Sequence, residues 1–399
     1  MKHPTHHIFE FTPESLGAWC ESRRMPTFRG KQVLEWVYEK GVVEPAAMTN
    51  LSKLDQTTLA RDMTFLSGRT LRRQAATDGT QKLLIEWDDH ETPQPVRTLD
   101  LAPPSPLAIA GQEQGDPARQ TECVMIPSLA SEREPEDDDG SRRAPRFTAC
   151  ISSQVGCPVG CRFCASGLTG LDANLSAGRI VEQVWRLARL KGVRRITNVV
   201  FMGMGEPLSN LGAVIPAVKT ITSLWGPGIS ARKVTISTVG LPKAIQRLSE
   251  QLDLPVTLAL SLHAPNDELR RRLIPWAEYT TIADLLAACR AWFERTGREI
   301  TLEYTLLRGV NDRPEHARQL ADHARTLRAN VNLIRYNEVA GTEFERPRDE
   351  DVLAFQKVLR GANINVHIRA SRGRDIAAAC GQLRHENTNK AAQDVPSAT

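Results

Sequence analysis

The chain has 399 residues, 41% of them hydrophobic and 25% charged, with a net charge of +4, an ordinary composition for a globular protein of two domains or of one large domain with an appendage. No apolar run approaches the roughly 20 residues of a membrane helix, and the start MKHPTHHIFEF lacks the apolar core of a signal peptide, so no membrane partner and a cytoplasmic location are expected. Eight cysteines in so long a chain do not make a disulfide scaffold, and clustered thiols in a reducing compartment bind metal or react.

In chain order, residues 13–92 read as a small, mostly helical unit ending in strands. Leu16, Trp19 and Cys20 mark one helical face, and Val33, Leu34, Trp36 and Val37 mark another that starts near Phe28. Arg23, Arg24, Arg29 and Lys31 crowd the turn between them, and Arg69, Arg72 and Arg73 lead into the next segment. Two readings stand for these cations: a grip on nucleic-acid phosphates, or a solvated face neutralised by Glu21, Glu35 and Glu39. Asp78-Gly79 predicts a hairpin between Thr70–Thr77 and Lys82–Trp87. Residues 93–119 carry six prolines and no periodicity, as a linker or inserted loop does. A short apolar strand from Thr121 to Pro127 follows, with Glu122 at its start, before an acidic run, Glu134–Asp139, too charged to fold alone.

From Arg146 onward strands alternate with helices. Strands are predicted at 147–152, 196–202, 233–238, 255–262, 299–306, 330–335 and 363–370, with helices such as 176–191, 242–251, 282–296 and 314–328 between them. Repeated β-then-α units specify a parallel sheet with right-handed crossovers, and about six units suit a partial α/β barrel. In barrels the chemistry gathers at the C-terminal strand ends. The first strand leads to Cys157, the second to Gly203-Met204-Gly205-Glu206-Pro207, the third ends at Ser237, the fourth at Ser261-Leu262-His263, and Asn337 lies just past the sixth. Cys289 falls in the stripe Ile282, Leu285, Leu286, Trp292, Phe293 and is expected to pack.

Cys157, Cys161 and Cys164 form a C-x3-C-x2-C run with no fourth cysteine or histidine at zinc-ligand spacing. Three thiolates leave one iron of a cubane iron–sulfur cluster open, and such an iron can chelate the amino and carboxylate groups of S-adenosylmethionine. A zinc knuckle or three buried thiols are the alternatives. Phe163, inside the run, can shield the site from water.

Cys150-Ile-Ser-Ser-Gln-Val-Gly-Cys157, Met202-Gly-Met-Gly-Glu-Pro207, Ser261-Leu-His-Ala-Pro-Asn266 and Ala379-Cys380-Gly-Gln-Leu383 resemble the signatures of the RlmN family of radical SAM adenine-C2 methyltransferases of 23S rRNA. The resemblance covers most of the chain, including Phe28-Arg29 and Asp78-Gly79-Thr80. It implies an α/β fold: a radical-SAM partial (β/α)6-type barrel over residues 146–383, an RNA-docking helical domain over 1–92, inserted loops and linker over 93–145, and a flexible tail over 384–399. It implies that Cys157, Cys161 and Cys164 hold a [4Fe-4S] cluster, and that Gly205, Glu206, Ser237, Ser261, Leu262, His263 and Asn337 contact S-adenosylmethionine. Cys380 would carry the methyl group, Cys150 would be its resolving partner and Glu122 the proton acceptor. Two S-adenosylmethionine molecules, 23S rRNA and tRNA as substrates, an electron donor such as flavodoxin, and a monomeric state are implied as well. Two departures stand out: the loops 93–119 and 128–145 are long, and the tail after Leu383 is not strongly basic. The rival readings are C8 methylation of adenine, as in the related Cfr enzymes, and an iron–sulfur RNA-binding module without turnover.

Overall fold

The computed structural model describes residues 1–92, 115–128 and 145–383. The acidic excursion, most of the proline-rich stretch and the tail expected after Leu383 lie outside the described residues.

Three helices open the chain: α1 (Pro13–Ser22), α2 (Arg29–Tyr38) and α3 (Lys53–Asp62). Thr12 starts α1 with a reciprocal capping box to Ser15, which satisfies two backbone donors that have no partner within the helix. The predicted faces are buried, Leu16, Trp19 and Cys20 on α1 and Val33, Leu34 and Val37 on α2. β1 (Gly68–Ala75) and β2 (Gln81–Trp87) form the predicted hairpin around Asp78-Gly79. β3 (Gln120–Pro127) pairs antiparallel with β2, and β4 (Phe147–Cys150) antiparallel with β3.

After β4 the chain makes β5 (Gln154–Gly156), the cysteine loop, the single turn α4 (Ala165–Leu168) and β6 (Leu171–Asn174); β5 and β6 form a separate two-stranded sheet that brackets the loop. The regular alternation follows: α5 (Ala177–Leu187), β7 (Asn198–Phe201), α6 (Leu211–Thr222), β8 (Val234–Thr238), α7 (Pro242–Gln251), β9 (Thr257–Ser261), α8 (Asp267–Leu273), α9 (Ile282–Thr296), β10 (Ile300–Leu306), α10 (Pro314–Arg325), β11 (Ala329–Arg335), α11 (Asp349–Gly361) and β12 (Val366–Arg369). From β4 the neighbours are β7, β8, β9, β10, β11 and β12, each parallel to the last, joined by six crossovers. This is the expected partial barrel. The hairpin β1–β2 extends the same sheet through β3 to ten strands, so the strands of the N-terminal segment are continuous with the barrel wall.

One apolar core runs from Ile8 and Phe9 through the helices to Val366. Cys289 lies inside it, fully buried on α9, as its stripe predicted. That helix starts at a Thr281–Asp284 capping box and ends where Gly297 takes φ 64°. α6 keeps its helical course around an internal Pro216. Among the described residues no helix is long and apolar enough to cross a membrane.

Candidate active site

At the C-terminal ends of the parallel strands lies a cavity of about 150 Å³. Cys157, Cys161, Cys164, Gly205, Glu206, Ser237, Ser261, His263, Asn337 and Cys380 line it, ten of the residues singled out in the sequence. A larger hollow of about 1040 Å³ between α7 and α9 carries none of them.

The cysteine loop is held from both ends by backbone hydrogen bonds. Cys157 N donates to Gly170 O (2.7 Å), and Arg162 N donates to Leu273 O (3.0 Å), which ties the loop to α8. Gly160 sits inside it at φ 74°, a left-handed conformation that a side chain would strain. Burial pushes the Cys157 thiol up to about 12 and Cys161 well above its ordinary value, and neighbouring thiolates add repulsion at both. Thiolates are the metal-binding form, so a donor set this resistant to ionisation fits a positively charged iron–sulfur core, whose charge would reverse the balance. Among the described residues no three His, Cys, Asp or Glu side chains converge on a single ion position. The spacing of the three cysteines on one short loop, with no fourth cysteine or histidine nearby in the sequence, fits the three protein-held irons of a cubane.

Around the loop, polar groups come from successive strand ends. Gly205 (φ 103°) passes so close to Gln154 that an added Cβ would lie 2.7 Å from the Gln154 side chain. Glu206 is buried and accepts from Leu208 N and Val239 N, both at 2.9 Å; burial outweighs these bonds and raises its pKa. The Ser237 and Ser261 hydroxyls meet at 3.2 Å. His263 takes φ 55°, and burial, with Arg270 nearby, pushes its pKa down to about 3, which keeps the imidazole neutral. Its Nδ1 accepts from Thr305 N at 3.1 Å, so the ring proton is carried on Nε2. Phe163 stands edge-on to this ring at 5.2 Å, a shield across the cavity wall. Asn337 Nδ2 donates to Cys380 O and its Oδ1 accepts from Arg346, each at 3.3 Å. These are the residues that could hold the polar groups of S-adenosylmethionine beside an open iron.

Three singled-out residues stand outside the lining. Leu262 is fully buried, its N–H bonded to Glu303 O and its carbonyl accepting from Arg270 Nε. Cys150 and Glu122 share one face of the sheet. Cys150 on β4 faces Val124 on β3, and Glu122 is two residues from Val124, so it shares that face. Cys123, of opposite parity, goes to the main core, whereas Val124 and Cys150 pack with Ile376, Ala378 and Leu383 from the segment that carries Cys380. Burial pushes Cys150 up to about 12; a charge on Cys380 would push it the same way, and Arg369 opposes both.

Arg369 and Glu303 escaped the sequence reading. Arg369 Nη1 lies 3.3 Å from both Met202 Sδ and Glu303 Oε2 in the cavity wall. A lone charged side chain in the strand Ile300–Leu306 was the available signal. Three of the N-terminal cations are paired within the chain, with acids other than the expected Glu21, Glu35 and Glu39. Arg23 pairs with Asp62, Arg29 with Asp55 and Arg69 with Glu86, while Arg24 and Lys31 are exposed.

Similarity to known proteins agrees with this geometry. The family model for the Radical SAM superfamily matches residues 151–321, and that for the Ribosomal RNA large subunit methyltransferase N-terminal domain matches residues 6–64. The dual-specificity RNA methyltransferase RlmN of Dichelobacter nodosus is 38% identical over 385 residues, covering 94% of this chain and 93% of its own. The chain belongs to the RlmN family. A probable RlmN of Gloeobacter violaceus is 40% identical over 380 residues, 95% of each chain. A crystal structure of a radical SAM methyltransferase from Sphaerobacter thermophilus superposes with a TM-score of 0.81 at 36% identity, covering 96% of this RlmN-family chain and 100% of its own. The radical-SAM barrel with an RlmN-type N-terminal domain, expected from the motifs, is therefore the fold of this chain.

Proposed function

We propose that this RlmN-family chain methylates C2 of adenosine in 23S rRNA and in tRNA, through a methyl group first placed on Cys380. The observation that carries the reading is that Cys380 lines the same small cavity as the three loop cysteines, while Cys150 shares an apolar cluster with Ile376, Ala378 and Leu383 of the segment that carries Cys380. C2 of adenine is electron-poor and does not attack a methylsulfonium, so the carbon must be added by a radical. The bound [4Fe-4S] cluster and S-adenosylmethionine supply that radical chemistry.

The chain supplies position and protons. Cys157, Cys161 and Cys164 hold the cluster, and Gly205, Glu206, Ser237, Ser261, His263 and Asn337 orient the nucleoside cofactor. Leu262, between Ser261 and His263 in the chain, anchors that strand end through its side chain in the core. Cys380 carries the methyl group from one S-adenosylmethionine by displacement, and a second is used in activating that methyl. Bond formation to the base leaves an RNA–protein adduct. Glu122 accepts the C2 proton. The Cys150 thiolate then attacks the Cys380 sulfur: an S–S bond forms, the C–S electron pair passes to the product carbon, which takes up a proton to complete the new methyl group, and the single electron left from radical addition would pass to the bound cluster. The disulfide is transient, of the kind found in reducing compartments. An external electron donor of the flavodoxin kind reduces the cluster, residues 1–92 dock RNA, and the enzyme acts as a cytoplasmic monomer.

The test uses full-length reconstituted protein with RNA substrate. Cys380→Ala loses product and traps no RNA, whereas Cys150→Ala accumulates a covalent RNA–protein species that migrates slowly on a denaturing gel. Nucleoside mass spectrometry reads 2-methyladenosine; 8-methyladenosine instead would move the assignment to Cfr-like chemistry. Normal turnover by Cys150→Ala without an adduct would overturn the mechanism, and absence of 5′-deoxyadenosine from the reduced wild type would leave a binding module.

A further inference from the structure

One buried cation is not used by the chemistry above. Lys82 on β2 is 2% exposed, and its Nζ lies 2.9 Å from Glu122 Oε1 and 3.1 Å from Ala377 O. Burying an ammonium is costly unless it is paired and hydrogen-bonded, and both partners here belong to the proposed reaction: Glu122 is the proton acceptor, and Ala377 lies three residues before Cys380. The sheet register makes the meeting possible. Leu84 faces Glu122 and Lys82 faces Val124, so Lys82 and Glu122 are diagonal neighbours on one face, the face shared with Cys150.

Two further bonds join the hairpin tip to the same loop. Thr77 N donates to Asp375 Oδ2 at 2.9 Å, and Gly373 N donates to Asp78 Oδ2 at 3.0 Å. Ala377 itself is held at φ 48°, a conformation that costs a non-glycine residue energy and needs support from its surroundings. On the other side, the Glu122 backbone is fixed by Ser152 Oγ, which donates to Glu122 O at 2.6 Å. The carboxylate is thus held at its backbone by β4's extension and at its head by Lys82.

We infer that Lys82 is a positioning residue for the methyl transfer: one buried ammonium sets the Glu122 carboxylate and the Cys380 loop relative to each other. This rests on the proposed roles of Glu122 and Cys380. Coupling the two makes physical sense because the base that removes the C2 proton must meet a nucleotide attached to Cys380, and both are otherwise anchored to different segments of the chain. A positional error of about 1 Å at such a site costs on the order of 100-fold in rate.

The test compares wild type, Lys82→Met, Glu122→Gln and the double variant Lys82→Met/Glu122→Gln as reconstituted full-length enzymes under single turnover, reading the ratio of covalent RNA–protein adduct to released methylated RNA. An unfolded fraction lowers both species together and leaves the ratio alone. Lys82→Met raises the ratio at least tenfold with cluster absorbance retained, and the double variant gives the ratio of Glu122→Gln, since Lys82 acts on this step through that carboxylate. A wild-type ratio in Lys82→Met, or additive effects in the double variant, would overturn the inference. If Lys82→Met does not fold, the double variant, which buries no unpaired charge, still decides: a ratio above that of Glu122→Gln rejects it. A wild-type ratio in Glu122→Gln would instead sink the role of Glu122 while leaving the cysteine chemistry in place.

Discussion

Two regions of this molecule bury charge, and they treat it in opposite ways. Where the N-terminal segment meets α5, Glu182 is fully buried and completely satisfied. It accepts from His7 Nε2 (3.1 Å), Ser67 N (2.8 Å), Ser67 Oγ (2.9 Å) and Arg186 Nε (2.8 Å), and Arg186 also donates to Gly68 O and Thr70 Oγ1. His7 Nδ1 accepts from Phe9 N, which orients the ring to donate to Glu182. Burial works to raise the Glu182 pKa, but Arg186, His7 and Ser67 together outweigh it and hold the carboxyl down at about 2. At the barrel rim the balance is reversed: burial outweighs the surrounding hydrogen bonds and pushes the Cys157, Cys161 and Cys164 thiols and the Glu206 carboxyl up. The first network is closed by the chain itself and clamps one segment to another. The second gathers raised pKa values around one cavity, the mark of a site poised for chemistry.

The comparison is sharpest if the two regions fail differently. The largest effect on activity is expected from Cys161→Ala, which should abolish the iron–sulfur absorbance and methyl transfer while changing stability by only about 1 kcal/mol. A full [4Fe-4S] complement in that variant would sink the cluster assignment. The largest effect on stability is expected from Glu182→Gln. Breaking a buried pair from one side costs about 3 kcal/mol or more, read as a lower melting temperature, with activity per folded molecule retained; an unchanged melting temperature would show that the clamp is decorative.

A smaller, graded effect follows from pH. Glu182 titrates near 4.5 in an unfolded chain and near 2 when folded, so the unfolded state takes up the proton first. Its stabilisation is fully present above about pH 4.5 and is lost as the pH falls through about 2. Acid titration of the melting temperature should show this slope in wild type and a shallower one in Glu182→Gln. Smallest of all is the response of the exposed cations Arg24, in the turn after α1, and Lys31, on α2. Arg24 has φ 60°, which asparagine tolerates, so Arg24→Asn with Lys31→Ala tests them without strain. If they touch phosphates, the slope of log affinity against log salt should fall by about 1 per contact, and an unchanged slope assigns them to the solvated face.

Much of the site was legible in the chain because its signals are local. The spacing of Cys157, Cys161 and Cys164 places three thiols on one short loop whatever surrounds them. Alternating β and α periodicity, together with the rule that chemistry sits at C-terminal strand ends, was enough to bring Glu206, Ser237, Ser261, His263 and Asn337 to one rim. Leu262 obeyed the same rule in sequence but not in space, because alternation along the strand end sends its side chain into the core, away from the cavity that its neighbours line.

Other features depend on pairings between distant segments, which no local pattern encodes. Whether an arginine such as Arg23, Arg29 or Arg69 faces solvent or a carboxylate is decided by which segment packs beside it, and here Asp62, Asp55 and Glu86 take all three. The Arg369–Glu303 pair spans two strands 66 positions apart, and the bond from Lys82 to Ala377 spans 295. Sequence by itself determined the chemistry-bearing loop, the barrel and the order of its rim, since each follows from periodicity or spacing over a few residues. Tertiary structure alone decided that Glu122 and Cys150 share a face, that the β1–β2 hairpin reaches the Cys380 loop, and which buried charges are closed or poised, because strand register and burial are properties of the assembled sheet.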